Sequence, residues 1–180
     1  MKTVNMNTLN EKQILQAAQI LVEEFPIWMP SLEKTKGEIA EFMDGEVDAV
    51  LIAALHNDEV IGFIGLQSDK HGPVYEIHPL VVRNDWQRKG IGSLLINEVT
   101  EIATKNGGVT LHLSTSDDEH GGETSLANVD LYDDLPRRLQ EFNPGNHQTA
   151  FYMKHGFKIV GVVPDEYGIG KPNIFLAKRL

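Results

Sequence analysis

VVRNDWQRKGIG, residues 81–92, sets three basic residues and two glycines between an apolar run and a helix-patterned segment. The strand reading ends at Val82 and the helix begins near Gly90, so Gln87, Arg88, Lys89, Gly90, Ile91 and Gly92 offer successive backbone N–H groups at a helix N-terminus. That geometry binds phosphate. A P-loop would need Lys followed by Ser or Thr after the last glycine, and a dinucleotide turn would need a third glycine where Leu95 stands. Both fail, leaving the pattern [QR]-x-x-G-x-G, filled by Gln87, Gly90 and Gly92. The plainer alternative is a tight strand-to-helix turn with surface bases.

Outward from this turn, residues 72–82 (GPVYEIHPLVV) read as a strand and residues 90–106 as a helix with Ile91, Leu94, Leu95, Val99, Ile102 and Ala103 on one face. Upstream, a short strand near Thr3 precedes a helix capped by Asn10 and stopped by Pro26. A second helix runs from the Ser31 cap to about Gly45. VDAVLIAAL and VIGFIGLQS, joined by HNDE, form a hairpin. Downstream, VTLHLST is a strand, a long loop passes Pro136 and Pro144, and residues 146–155 form a helix. FKIVGVV and PNIFLAKRL are the last strands. The order predicts an α/β (α+β) fold in one domain over residues 1–180, with a mixed sheet covered by helices.

The chain has 180 residues and a net charge of −10, and it lacks cysteine. No thiolate nucleophile is present, so any group transfer goes directly to its acceptor or uses another nucleophile. The negative charge disfavours nucleic acid and anionic membrane and favours a cationic small molecule or basic peptide. With no apolar stretch long enough to span a bilayer and no apolar leader in MKTVNMNTLN, a soluble, cytoplasmic protein is expected. Residues 117–141 hold eight acids against two arginines, either a solvated surface loop or a surface that collects cations. Within it, DDEHGGE does not fit EF-hand spacing, and no metal is expected.

The loop pattern resembles the pyrophosphate loop of the GNAT superfamily of N-acetyltransferases. EIHPLVV before it resembles the family's bulged strand, and NHQTAFYMKHGF resembles its Asn-led helix with a tyrosine two turns on. The set YEIHPLVV, GGVTLHLSTSDDEHG, DLY, FYMKHGFKIVGVVPDEYG and KPNIFLAK is similar to bacterial aminoglycoside 6′-N-acetyltransferases. The resemblance implies the GNAT fold, with a central, mixed, mostly antiparallel twisted sheet flanked by helices. Two departures stand out. Aligning Tyr152 with the family tyrosine puts Gly145 in the usual Asn place, with Asn146 one position out and Gln148 where a small alanine is usual. STSDD also carries Ser114 and Ser116 where a Gly-Thr-Asp-Asp-like run is expected.

The resemblance implies acetyl-coenzyme A as cosubstrate, held by the backbone of Leu80, Val81 and Val82, by Gln87, Arg88, Lys89, Gly90, Ile91, Gly92 and Ser93, and by Asn146 and Tyr152. It implies that Glu76 deprotonates or positions the amine, that the Leu80 N–H donates to the oxyanion, that Tyr152 protonates the thiolate, and that the protein is a homodimer. An ordinary glutamate, with a pKa of about 4.3, is a poor base for an ammonium without burial or a relay. Strand alternation places Glu76, His78, Leu80 and Val82 on one face, with Tyr75, Ile77 and Val81 on the other, provided no bulge precedes Leu80. The structural alternatives are a strand-pairing carboxylate for Glu76, a hydrogen-bonded strand histidine for His78, a core aromatic for Tyr152 and a helix cap for Asn146.

An aminoglycoside carries several ammonium groups, and Asp117 and Asp118 are the expected contacts on the acceptor side, with Glu76 and His78. The competing functions are a GNAT enzyme acting on a polyamine, peptide or protein amine, and a non-catalytic module that binds acetyl-coenzyme A.

Overall fold

A computed structural model describes residues 1–44, 49–68, 72–118 and 122–180. The expected end of the second helix at Gly45, the start of the hairpin at Val47 and Asp48, and Glu119 to Gly121 of the acidic segment lie outside the described residues. The backbone divides into two compact units, Met1–Leu111 with Leu180, and His112–Arg179.

In the first unit, strands β1 (Lys2–Asn5), β2 (Ala49–His56), β3 (Glu59–Ser68) and β4 (Val74–Val82) lie in that order, and each neighbouring pair is antiparallel. Helices α1 (Glu11–Glu24) and α2 (Leu32–Met43) pack their apolar faces on one side. Asn10 and Gln13 form a reciprocal capping box that starts α1, and the Ser31 hydroxyl caps α2 by accepting from the Lys34 N–H. The β2–β3 hairpin turns through Asn57 and Asp58, both at positive φ, as a two-residue turn matched to strand twist requires. Helix α3 (Ile91–Lys105) covers the other side with Ile91, Leu95, Ile96, Val99 and Ala103 buried.

The β3–β4 ladder contains a bulge. Ile64 pairs with Leu80 and Leu66 with Ile77, so His78 and Pro79 together oppose the single residue Gly65. The approach is close enough that a Cβ on Gly65 would lie 2.0 Å from the His78 carbonyl oxygen. The bulge reverses the side-chain alternation along β4. Glu76 and Val81 pair with Gln67 and Phe63 on the α1/α2 side, whereas Ile77, Leu80 and Val82 pair with Leu66, Ile64 and Gly62 on the α3 side. The expectation that Glu76, Leu80 and Val82 share a face is corrected accordingly, because alternation in the sequence carries no mark of the extra residue.

The second unit holds most of β5 (Thr110–Ser116), together with α4 (Leu131–Gln140), α5 (Thr149–Lys154), β6 (Lys158–Val163) and β7 (Asn173–Arg179). Its strand order is β5-β7-β6, and β6 and β7 are antiparallel. Leu113, Leu126, Leu131, Phe157, Ile174 and Leu176 are buried.

The segment expected to be a long loop contains α4. Its two helical pieces meet at Asp134, whose φ of −153° and ψ of 59° are not helical. The Asp134 side chain accepts from the Arg137 N–H, starting the second piece with Pro136 inside its first turn, where a missing N–H costs nothing. The last helix is also shorter than expected, starting at Thr149 rather than Asn146. The fold class itself is the one expected: α/β, with mostly antiparallel strands flanked by helices.

Replacing Gly65 with Ala should destabilise the protein by about 2–3 kcal/mol, since the clash is with backbone and cannot be relieved by a side-chain rotation. Gly37→Ala, inside α2 with open space around its Cβ position, should stabilise by up to about 1 kcal/mol. Urea unfolding of both variants tests the bulge; a Gly65→Ala midpoint equal to wild type would contradict it.

Candidate active site

The cationic turn in the first unit is built from three local devices. A single 3-10 turn, Asn84–Trp86, follows β4. Arg83 sits over it, with Nε 2.7 Å from Asp85 Oδ1 and its guanidinium 3.6 Å from Glu59; the Asp85 hydrogen bond is the main reason the Arg83 pKa is raised and the Asp85 pKa lowered. Gln87 then reaches back: its amide nitrogen donates to the Val82 carbonyl at 3.0 Å and to Glu24 at 2.8 Å. Burial is the main cause pushing the Glu24 carboxyl up. The Gln87 side chain therefore ties the turn to the end of β4 and to α1.

Arg88 and Gly90 both take positive φ, 57° and 85°. Gly90 is the N-cap of α3 and has no side chain with which to cap it, no acid lies in the first turn, and a Cβ at Gly90 would meet nothing within 4 Å. Arg88, Lys89 and Gly90 are exposed, and the Lys89 ammonium lies 5.0 Å over the Trp86 ring, which in turn lies 4.6 Å from the His56 ring at a tilt of 46°. An open helix N-terminus flanked by cations, with free space in front of the glycine, fits a pyrophosphate.

On β4, Glu76 is half-buried and His78 exposed. Both precede the turnover in side-chain facing. His78 and Pro79 line a cleft with Met29, Glu38, Ile39 and Phe42, and the His78 and Phe42 rings lie 6.2 Å apart. Leu80, Val81 and Val82 follow the bulge, and Arg83 donates its N–H to the Ile61 carbonyl as the strand ends.

The remaining expected residues are in the second unit. Tyr152 is buried in α5, with Phe151 and Phe157 edge-on at 5.2 and 5.9 Å. Burial pushes its hydroxyl well above the usual phenol range, which keeps it protonated. Asn146 does not start the helix; its side-chain oxygen accepts from the Glu123 N–H at 3.4 Å. Asp118 is nearly buried at the end of a small bridge to Gly122, and its charge contributes, after burial and Glu166, to raising the Tyr167 pKa.

Asp117 requires a correction. It is fully buried, and its two carboxylate oxygens accept from the Thr124 N–H and the Thr124 hydroxyl. Buried from solvent and turned onto Thr124, it holds a loop together and presents no oxygen to an amine.

Two residues organise this region: His147, not singled out from the sequence, and Gln148, noted there only as standing where a small alanine is usual. The His147 ring is buried, with Nε2 2.8 Å from the Ser116 carbonyl and Nδ1 3.2 Å from the Thr149 amide nitrogen. The Gln148 amide donates to the Thr115 hydroxyl. The available signal was the polar pair His147-Gln148 at the foot of an apolar helix, where exposed polar residues need no explanation but buried ones need partners. Among the described residues, no group of three or more His, Asp or Glu side chains is placed to hold a metal ion, and no helix is long and apolar enough to cross a membrane.

The model of the acetyltransferase (GNAT) family matches residues 14–123. Among solved structures, an aminoglycoside 6′-N-acetyltransferase complexed with coenzyme A is 31% identical, with 99% of this chain and 97% of that one covered and a TM-score of 0.89. The aminoglycoside 6′-N-acetyltransferase from Enterococcus faecium is also 31% identical at the same coverage, with a TM-score of 0.88. An aminoglycoside 6′-acetyltransferase type Ii is 28% identical, with a TM-score of 0.75. No curated protein matches the chain. With a family model spanning more than half of the sequence and a 31% identical relative covering nearly all of it, the chain belongs to the GNAT family of acetyltransferases.

Proposed function

We propose that this enzyme transfers acetyl from acetyl-coenzyme A directly to the 6′-amine of an aminoglycoside, with residues 1–180 working as one domain. The observation that carries the substrate is the extent of the likeness: the 31% identity to aminoglycoside 6′-N-acetyltransferases runs over 99% of the chain, so it includes the acidic segment as well as the coenzyme loop. The homodimer and the cytoplasmic location expected from the sequence belong to the same proposal.

In this reading the coenzyme supplies the activated acetyl thioester. Its pyrophosphate rests on the N–H groups of residues 88–93, with Arg88 and Lys89 adding positive charge and Gln87, whose own N–H donates to the Asn84 carbonyl, fixing the turn; its pantetheine arm runs along the backbone of Leu80, Val81 and Val82. Asn146 is the further coenzyme contact that the family resemblance implies. Glu76, directly or through a water, takes a proton from the acceptor ammonium so that the amine lone pair attacks the thioester carbonyl. The Leu80 N–H donates to the carbonyl oxygen as charge builds there. As the C–N bond forms and the C–S bond breaks, Tyr152, held protonated by its apolar surroundings, gives its proton to the leaving sulfur, and the second proton on the nitrogen passes through water to the tyrosinate, leaving a neutral amide and the restored phenol. His78 and Asp118 are the acceptor-side residues of this reading, and the Asp118 carboxylate supplies the negative charge that draws the polycation in.

Thiol release from acetyl-coenzyme A tests the substrate. Kanamycin should support turnover, and an analogue with hydroxyl in place of the 6′-amine should not; turnover with spermidine or a basic peptide alone would move the function to another amine, and silence with all of them would indicate a binding module. Tyr152→Phe should lower kcat by about tenfold or more while leaving coenzyme affinity within a few-fold.

The coenzyme loop is tested by calorimetry. Gly90→Asp should abolish coenzyme A binding by placing a negative charge against the pyrophosphate, whereas Gly90→Ala, sterically open but strained at a φ of 85°, should weaken it by no more than about tenfold. Equal affinity for Gly90→Asp and wild type would remove the loop from the binding site.

A further inference from the structure

The segment before α5 is stitched to the chain that leaves β5. Asn143 and Ser125 exchange two hydrogen bonds, each 2.9 Å, from N–H to Oγ in one direction and from N–H to backbone carbonyl in the other. Asn146 accepts from Glu123, His147 reaches Ser116 and Gln148 reaches Thr115. His147 is the buried member of this series, at 1% exposed. It also bonds in two directions at once.

The chemistry of the ring assigns its protons. The Thr149 N–H donates to Nδ1 at 3.2 Å, so Nδ1 is an acceptor without a hydrogen; Nε2 then carries the proton and donates to the Ser116 carbonyl at 2.8 Å. The Thr149 hydroxyl lies 3.2 Å from Nδ1 as well. Helix α5 has only six residues, and its N-cap, Gln148, lies in the helical region and makes no side-chain capping bond. A helix that short does not hold its own start, and the imidazole provides the missing acceptor.

We propose that His147 is a positioning residue whose two ring nitrogens hold two halves of the reaction separately. Nδ1 fixes the first turn of α5 and, three residues on, Tyr152. Nε2–H fixes the last residue of β5 and, directly after it, Asp117 and Asp118. The catalytic consequence rests on the roles given above to Tyr152 and Asp118, while the two-sided hold itself is independent of them.

Two substitutions separate the sides. In His147→Asn the short side-chain carbonyl still accepts from the N–H two residues on, as in an Asx turn, but cannot reach Ser116. In His147→Gln the longer amide reaches the Ser116 carbonyl and leaves the Thr149 N–H without its acceptor. Amide exchange on the folded variants should show protection at Asp117 and Thr124 falling about tenfold in His147→Asn with Thr149 and Tyr152 unchanged, and the reverse in His147→Gln, on the scale of one buried hydrogen bond left unmade. With kanamycin, His147→Asn should raise KM about tenfold at nearly constant kcat, and His147→Gln should lower kcat about tenfold at nearly constant KM.

Equal loss of protection on both sides in both variants, or no loss in either, overturns the proposal. A split in protection without a split in kinetics upholds the two-sided hold and overturns the roles of Tyr152 and Asp118 instead. Should either variant not fold, the imidazole 15N shifts of the wild-type protein decide: a protonated Nε2 with a bare Nδ1 supports the assignment, and the opposite tautomer overturns it.

Discussion

The closeness of two backbones, Gly65 of β3 and His78 of β4, is the constraint on which the first unit depends. Only a residue without a side chain admits a carbonyl oxygen 2.0 Å from the place of its Cβ, and only that approach lets His78 and Pro79 share one partner across the ladder. Once the extra residue is in β4, the side chains beyond it change sides. Val81 joins Phe63 under α1 and α2, and Leu80 and Val82 turn toward α3. The strand can therefore keep Glu76 and His78 on one side while delivering its last residues to the side from which α3 begins. Gln87 holds that delivery by donating to the carbonyl of Val82, so the glycine turn starts from a fixed point.

The second unit solves a different problem. Its acidic stretch could repel itself into a mobile loop, yet much of its charge is engaged in local structure. Asp117 closes on Thr124, Asp130 caps α4, Asp134 caps the second piece of that helix and Glu123 accepts from the Asn128 amide. The strap 143–149 then crosses this loop and pins it to the end of β5. Carboxylates crowded into one stretch have to be held in shape against their own repulsion, and these bonds supply the hold.

Much of this was legible in the sequence because it is written in local chemistry. The Asn10 and Ser31 caps, the Asn57-Asp58 turn and the apolar face of α3 each announce themselves within a few residues. The bulge did not, since period-two alternation reads the same on both sides of an inserted residue and its cause, Gly65, lies on the neighbouring strand. Helix α4 was hidden by Pro136, which ordinarily marks a loop, until Asp134 is seen to begin a new helical piece just before it. The burial of Asp117 and the bridging role of His147 depend on partners between two and thirty-one residues away. Burial is not written in spacing, and so the glycine turn was easier to read than the loop that follows β5.

Amide chemical shifts recorded while coenzyme A is titrated into the isotopically labelled protein test the central claim most directly, that the bulged strand and the glycine turn together hold the cosubstrate. The largest saturable changes should fall at residues 80–82 and 87–93. Saturable changes confined to other parts of the chain, with those two stretches unmoved, would contradict it.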